Sequence, residues 1–580
     1  MTPKQFVKAY KKYGSIKAVA RETDGENYRT VRAAYLQAVE EGIMDKQPVG
    51  RKNRDQSKKP EPVFEGQLHV LDLKEFAVPK RGVKRYILTS AQNNTHLHDG
   101  LWDNLIALKD HYNARLMVGR FTYIKSGLGV RGDKAQFVAM KRETLYDGDT
   151  LVWDPRIEPY LADERIELAP GLVWCGEWQR LPTTKRPLSG YETYTGRKSG
   201  IFPHAKYEMQ SVAAGKFEDT KFNWTTGTCT MRNYIVRGAG LQATFHHGYG
   251  ALLVEVDPDG NWFVRQLMAD SEGTIHDLDV RVEDGKVTTG NRVEAITFGD
   301  IHVQELDKVC NQLSASMMDY LRPKYAFYHD VLNFGSRNHH ERKDPFKRLE
   351  RLTKGQEDVR FEVEQAMEYV ANRSSHWQDC QHIVVDSNHD RALERWLRES
   401  DWREDPINME FFMESALAKV RAIKAGDVRW HMMKHWFRQT NYNQEWLTNG
   451  DDPFDNVYFL DEDESFVLCE DANGGIECGM HGHLGPNGAR GGAAAFAKMG
   501  RKANVGHTHQ AGIYDGIFTA GTSSKLDMGY NRGPSSWSHS HIITYPNGKR
   551  AIVTMFNKKW RAGKSPLKKD MYYLGTDLAA

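Results

Sequence analysis

The feature that most constrains this chain is a series of short apolar runs, between about residues 291 and 555, that each end in Asp, Asn or His. "VEAITFGDIHVQ" stops at Asp300 and His302, "KYAFYHDVLNF" at Asp330, and "QHIVVDSNHDR" at Asn388, His389 and Asp390. "GIECGMHGHLGPNG" then offers His481 and His483, and "ANVGHTHQ" offers His507 and His509. Short runs rich in β-branched and aromatic residues read as strands. Layered α/β folds carry functional groups where strands end and loops begin. The pattern therefore predicts an α/β fold whose strand ends converge on one site. Each motif alone is weak, because two histidines flanking a threonine occur by chance. The whole ordered series is specific.

In this order and strand context the series resembles the calcineurin-like metallophosphoesterases, over about half the chain. The resemblance implies a β-sandwich flanked by helices, in αββα layers, and a centre of two divalent metal ions. It assigns Asp300, His302 and His509 to the first metal, Asp330 to a bridging position, and Asn388, His481 and His507 to the second. His483 is the alternative to His481. It also implies that His389 is not a ligand but faces the phosphate as general acid or charge stabiliser, so that His389 and Asp330 are the expected catalytic residues. Two cations about 4 Å apart can share a nucleophile and clamp phosphate oxygens. The mixed oxygen and nitrogen ligand set suits Mn²⁺, Fe or Zn more than Ca²⁺. Resemblance to the SbcD-like nuclease branch makes Mn²⁺ the first choice, with Mg²⁺ also open. The chain departs from the family at His329 and Ser387, where Gly is usual, and at Asn333, where Asp or His is frequent. The gap between Asp330 and Asn388 (388 − 330 = 58 residues) is long and includes a charged helical stretch.

The rest of the chain divides by composition and pattern. Residues 1–44 predict a helix-turn-helix-like module. Thr2, Pro3 and Gln5 form a helix start, a second helix begins at Ser15, and "YRTVRAAYLQAVEEG" gives a third that stops at Gly42. The start of that third helix presents Tyr28, Arg29 and Arg32 for DNA contact, the alternative being a protein-docking module. Residues 45–66 form a basic linker. Residues 67–290 predict a mixed α+β domain of unassigned role, opening with a β-α-β pattern and holding a hairpin at "GALLVEVDPDGNWFVRQL". Its His96/His98 and His246/His247 pairs read as polar loops or secondary substrate contacts. No internal repeat is evident. Residues 291–580 are the expected phosphoesterase domain with a basic C-terminal tail.

Charge is balanced, 79 Lys+Arg against 77 Asp+Glu, so any polyanion partner must be met locally. The six scattered cysteines form no C-x-x-C pair, and no apolar run is long enough to span a membrane. Three local features favour DNA as the substrate, duplex or single-stranded. They are the N-terminal module, the basic linker, and the stretch 549–569, with eight Lys/Arg and no acid, near Trp560 and Tyr572–Tyr573. His339 and His340 are further candidate DNA contacts. The expectation is a metal-dependent DNA nuclease, similar in layout to phage-encoded nucleases, acting in a bacterial cytoplasm as a homo-oligomer without membrane contact. The alternatives are a nucleotide or small-phosphodiester metallophosphatase, and a DNA-binding scaffold on a degenerate site.

Overall fold

The computed structural model describes residues 2–13, 19, 23, 28–44, 82–122, 153–215, 218–338, 344–427, 430–439, 454–471 and 474–568. The chain forms two compact units, Met1–Gln67 and Leu68–Ala580. In the smaller unit the helices Pro3–Tyr13 and Tyr28–Glu40 close over Phe6, Val31, Ala34, Tyr35 and Ala38. The expected capping box forms: Gln5 N donates to Thr2 Oγ1 (3.3 Å) and Thr2 N to Gln5 Oε1 (2.8 Å). Most of the expected second helix and all of the 45–66 linker lie outside the described residues.

The larger unit is mixed α/β. A six-stranded sheet runs in the order Val457–Phe459, Gln381–Val384, Tyr325–Tyr328, Ala295–Thr297, Ser540–Thr544, Arg550–Thr554. The first four strands are mutually parallel and the last two antiparallel. Side chains alternate across it, as the two-residue strand period requires. Ile296, Ala326, Tyr328 and Val384 pack under the helices Lys308–Leu321 and Val359–His376, while Ala295, Phe327 and Ile383 meet Leu468, Ile476 and Cys478 of a second sheet. Asp307 starts the first of these helices, its carboxylate accepting from Cys310 N at 2.7 Å.

The second sheet has ten strands, in the order Val467–Leu468, Ile476–Glu477, Lys502–Val505, Ile517–Thr519, Gly512–Tyr514, Met209–Val212, Lys221–Thr225, Ser199–Phe202, Leu172–Cys175, Arg165–Ala169. A four-stranded sheet, Arg115–Phe121, Lys84–Gln92, Gly250–Val256, Trp262–Met268, completes the core with the helix Asp99–Tyr112 on its outer face. The expected β-α-β opening and hairpin are both present here. The four- and six-stranded sheets meet edge to edge, Ile552 N donating to Gln266 Oε1 (2.8 Å). The ten-stranded sheet spans both, in one core that holds Leu88, Val254, Trp224, Ile513, Ile542 and Ile552.

The expected division at 290/291 therefore coincides with no break between cores. Strands from 165–225 and from 467–519 hydrogen-bond within one sheet. Composition does not reveal this, because the joining residues, Met209 and Ile513, lie 304 positions apart (513 − 209). Among the described residues no helix is long and apolar enough to cross a membrane.

Candidate metal centre

The strands Ala295–Thr297, Tyr325–Tyr328 and Lys502–Val505 deliver Asp300, His302, Asp330, His507 and His509 to one buried place. Three groups of possible ligands form there: Asp300 with His302 and His509; His302 with Asp330 and His389; and Asp330 with His481 and His507. Asp330 and His302 each belong to two groups, so the groups form one chain of donors. His509 Nε2 lies 3.0 Å from Asp300 Oδ2, and His481 Nε2 lies 3.1 Å from Asp330 Oδ2 and 3.0 Å from Asn388 Oδ1. Asn388 thus joins the third group through its amide oxygen.

The backbone is bent to make this convergence. His302, Asp330, His507 and His509 all have positive φ, between 46° and 70°, a left-handed conformation disfavoured for residues with a side chain. Such strain persists only where surrounding structure enforces it, and it gathers at functional sites. Here the enforcement is visible. His507 N donates to Asp300 Oδ2 at 2.8 Å, His389 N to Asp330 Oδ1 at 3.0 Å, and Asp330 N to Ser387 Oγ at 3.0 Å. Gly506 sits so close that a Cβ there would lie 2.2 Å from Asp300 Oδ1. The glycine of "GHTH" is a matter of space, not of turn conformation.

Burial and charge set the protonation pattern. Burial favours neutral carboxyls, but at Asp330 the His481 and His389 rings outweigh it and hold the acid well below its ordinary range. Asp300 is lowered likewise against burial, by His481 and His509. Burial disfavours an imidazolium at His481, yet Asp330 and Asp300 raise it to about 9. Burial lowers His302 to about 3 and His483 to about 4. The site thus collects carboxylates and, at His302, a neutral imidazole, the states that bind metals, whereas His481 must give up a proton to bind one.

The grouped donors could hold a metal ion. His302 Nε2 and His509 Nε2 lie 3.2 Å apart, and the Nδ1 atom of each is buried without a hydrogen-bond partner. Two imidazole nitrogens that close share at most one proton, so the pair is better satisfied by a common cation. The nitrogen and oxygen set suits Mn²⁺, Fe or Zn. His481, rather than His483, is the histidine of "HGH" that reaches Asp330. His389 Nδ1 donates to the carbonyl of Asn333 (2.7 Å), which turns Nε2 away from that bond, and the residue lines the adjoining cleft.

That cleft has a volume of about 1320 Å³ and also carries Arg351, Lys354, Arg360, Arg490 and Lys525. Two of its walls are absent from the sequence reading. Trp537 packs its ring 4.1 Å from His509, and Glu362 accepts from Ser336 Oγ (2.6 Å) and Gly335 N (3.0 Å). No motif marks either residue; only the proximity of "GQEDVRFEVEQ" to the second motif hints at Glu362.

The candidate DNA contacts fare differently. Arg32 is exposed on its helix; the side chains of Tyr28 and Arg29, and all of His339 and His340, lie outside the described residues. Several basic residues of the 549–569 stretch are engaged within the fold, while Lys558 and Lys564 are exposed. Arg550 donates to Ala503 O, Asn504 Oδ1 and Gly516 O, and Lys559 pairs with Asp257 at 2.7 Å. Arg561 lies 3.7 Å from the Tyr320 ring centre, Lys568 pairs with Asp319, and Trp560 is buried. Lys569 and Tyr572–Tyr573 lie outside the described residues. His98 caps the Asp99–Tyr112 helix, and His247 is buried between Tyr234 and Thr230.

No family model and no solved structure matches the chain. It is 36% identical over 493 residues to Protein A1 of Escherichia phage T5, covering 83% of each chain. A match of that extent and identity shows kinship over nearly the whole molecule: the chain belongs to the family of phage T5 Protein A1.

Proposed function

We propose that the chain is a metal-dependent phosphodiesterase, a DNA nuclease with a two-metal centre on a metallophosphoesterase-type αββα fold. The observation that carries this reading is the sharing of Asp330 and His302 among three adjoining groups of buried donors. Asp300, His302 and His509 would hold one divalent ion and Asn388, His481 and His507 the other, with Asp330 serving both. Mn²⁺ is the first choice. When bound, the two ions supply the positive charge that activates a water and neutralises the phosphate oxygens. The protein's own groups do the rest. Asp330 holds the spacing. The Asn333 carbonyl accepts from His389 Nδ1–H and leaves Nε2 free to carry a second proton, which the imidazolium would give to the leaving oxygen or use to stabilise its charge. Arg351, Lys354, Arg360, Arg490 and Lys525 line the cleft with Glu305, Asp358 and Glu364, and a neighbouring phosphate would compete with Glu350, Glu414 and Glu305 for Lys354, Arg360 and Lys525. The cleft exceeds the usual small-ligand range of roughly 300–1,000 Å³, which favours a segment of polymer over a single nucleotide.

Internal use of the C-terminal basic residues favours a second reading, a metallophosphatase for nucleotides or small phosphodiesters. The deciding assay offers linear duplex, circular duplex and single-stranded DNA, beside a small chromogenic phosphodiester, with Mn²⁺, Mg²⁺ or EDTA. Mn²⁺-dependent DNA cleavage, absent in Asp330→Asn, is expected. Hydrolysis of the small ester alone would leave the second reading in place. Kinship with a phage protein supports action in the cytoplasm of a bacterial host. Self-association is tested by mass measurement in solution.

A further inference from the structure

The strand order of the ten-stranded sheet reads the same from its centre outward in both directions. From Gly512–Tyr514 the strands run antiparallel, parallel, parallel, antiparallel to the edge at Val467–Leu468. From Met209–Val212 they run antiparallel, parallel, parallel, antiparallel to the edge at Arg165–Ala169. The other sheets repeat the symmetry. Ala295–Thr297, a 14-residue helix and Tyr325–Tyr328 form a parallel unit flanked by the antiparallel pair Ser540–Thr544 and Arg550–Thr554. Lys84–Gln92, a 14-residue helix and Arg115–Phe121 form a parallel unit flanked by Gly250–Val256 and Trp262–Met268. Both closing hairpins turn through five residues, "YPNGK" and "DPDGN". Among the described residues the second set has no counterpart of the strands Gln381–Val384 and Val457–Phe459.

Hydrogen bonds bring the two sets into residue register. Thr522 Oγ1 and Ser523 N donate to Asp300 O (3.0 and 2.8 Å); Thr228 Oγ1 and Cys229 N donate to Ser90 O (2.7 and 2.9 Å). Thr522 and Ser524 share a hydroxyl bond of 2.7 Å, and Thr228 and Thr230 one of 2.9 Å. Ser538 N donates to His509 O as Gly248 N donates to Ala205 O. Ser90 thus stands for Asp300, Gln92 for His302 and Ala205 for His509. One step along each parallel ladder from Asp300 and Ser90 lie Asp330 and Arg120. These four ligands are replaced, the Asp330 carboxylate by a guanidinium held by Asp163 (Nε to Oδ2, 2.6 Å) over the Trp153 ring; His204, beside Ala205, remains a histidine but is bonded to Lys206 N (2.9 Å) and Leu181 O (3.3 Å). All groups of possible ligands among the described residues lie in the other half.

Thr519 Oγ1 donates to Gln510 O and Gly512 O, and Thr225 Oγ1 to Lys206 O and Glu208 O, which aligns Ile513 with Met209. These are the residues that pair across the sheet's centre. A residue paired with its own equivalent marks a two-fold axis, the signature of an isologous contact between two copies. Beside the axis, Asp515 pairs with Lys206 and lies 3.5 Å from His246, and Ala214 and Ser535 exchange two backbone bonds of 2.9 Å.

We propose that the described residues of 84–268 form a second, metal-free copy of the fold that carries the His/Asp cluster, and that this copy serves the first as a partner subunit built into the same chain. It covers the edge of Gly512–Tyr514, which otherwise presents unpaired backbone to any passing strand. Arg120 supplies a fixed positive charge at the place where the other half gathers ligands. The metal-free part rests on the metal reading of the Asp330 cluster; the pairing of the halves does not.

Two measurements on the full chain decide it. Ala214→Cys with Ser535→Cys, a half-buried pair in hydrogen-bonded antiparallel register, suits a disulfide. Oxidation at low protein concentration is expected to join them within one chain, at monomer mass and with two fewer free thiols than the reduced protein. A cross-linked species of doubled mass, or no cross-link in a protein with unchanged circular dichroism, overturns the pairing. Hydrogen exchange with and without Mn²⁺ is expected to gain protection in 300–303, 329–333 and 506–510 and none in 90–93, 119–122 and 203–206. Gain in the latter segments overturns the metal-free copy. No gain anywhere overturns the metal reading of the Asp330 cluster, and the cross-link still decides the pairing.

Discussion

At one strand end of the larger unit Asp330 sits among four histidines and a second carboxylate; at the matching strand end of the other half Arg120 sits against Asp163 and Trp153. The ladders, helices and hairpins around these two positions correspond. What differs is a handful of side chains: Ser90, Gln92, Arg120 and Ala205 where the site has Asp300, His302, Asp330 and His509. The comparison teaches that this architecture does not depend on the His/Asp cluster. A half that places a guanidinium and an ion pair at the strand ends keeps the same order of the four shared strands as a half that gathers possible ligands there.

The largest expected effect falls on one half alone. Asp330→Asn should cut metal-dependent hydrolysis by at least about a hundredfold, as loss of a key electrostatic group does, with circular dichroism unchanged. Retention of full rate would remove Asp330 from the centre. His389→Ala should lower kcat by about a hundredfold, the lower end of general acid–base effects, while bound Mn²⁺, counted by elemental analysis, stays constant. A fall in the count would make His389 a ligand, which its grouping with His302 and Asp330 allows.

Gly506 and Pro203 sharpen the comparison. Ala520 N donates to Val505 O as Thr226 N does to Phe202 O, so the residues that follow, Gly506 and Pro203, correspond. A proline is tolerated where Ser90 replaces Asp300. Gly506→Ala must displace the Asp300 carboxylate and should cost about 1–3 kcal/mol of stability, the usual range for overpacking, together with Mn²⁺ affinity in calorimetric titration. Pro203→Ala should leave Mn²⁺ affinity unchanged. Arg120→Ala should cost about 1–2 kcal/mol in a denaturant titration through its lost charged hydrogen bonds, its side chain being only partly exposed, again without changing the Mn²⁺ count.

The smallest effect concerns pH. Burial raises Glu362 to about 7, from an ordinary 4.5, despite bonds from Ser336 and Gly335. Its folded form holds a proton that the unfolded chain has released, so this contribution to stability is full below about pH 4.5 and is lost as pH rises through about 7. Glu362→Gln should flatten the fall in stability over that window. An unchanged slope would assign the titration elsewhere.

The cluster was legible in the sequence because its ligands follow short apolar runs, and each run-and-ligand unit is local. Its strain and crowding were not, since φ at His302 and the space beside Gly506 depend on segments about two hundred residues apart. The internal partners of 549–569 were hidden for a related reason: a run of charge does not reveal that Asp257, Asp319 and the Gly516 carbonyl await Lys559, Lys568 and Arg550. The second copy escaped notice because its ligand positions, the only strongly marked ones, have been replaced. Sheet order and backbone bonds retain a relationship that side chains no longer display, apart from "YPNGK" and "DPDGN".

The seam at Met209 and Ile513 has a consequence in mass action. Two subunits that meet through a two-fold contact separate on dilution, and each fresh polypeptide must find a mate. Here the mate is covalently attached, so the effective concentration of one half about the other is fixed by the chain rather than by expression. The first molecule made in a cell is already paired, at a copy number where a dissociable dimer would still be monomers.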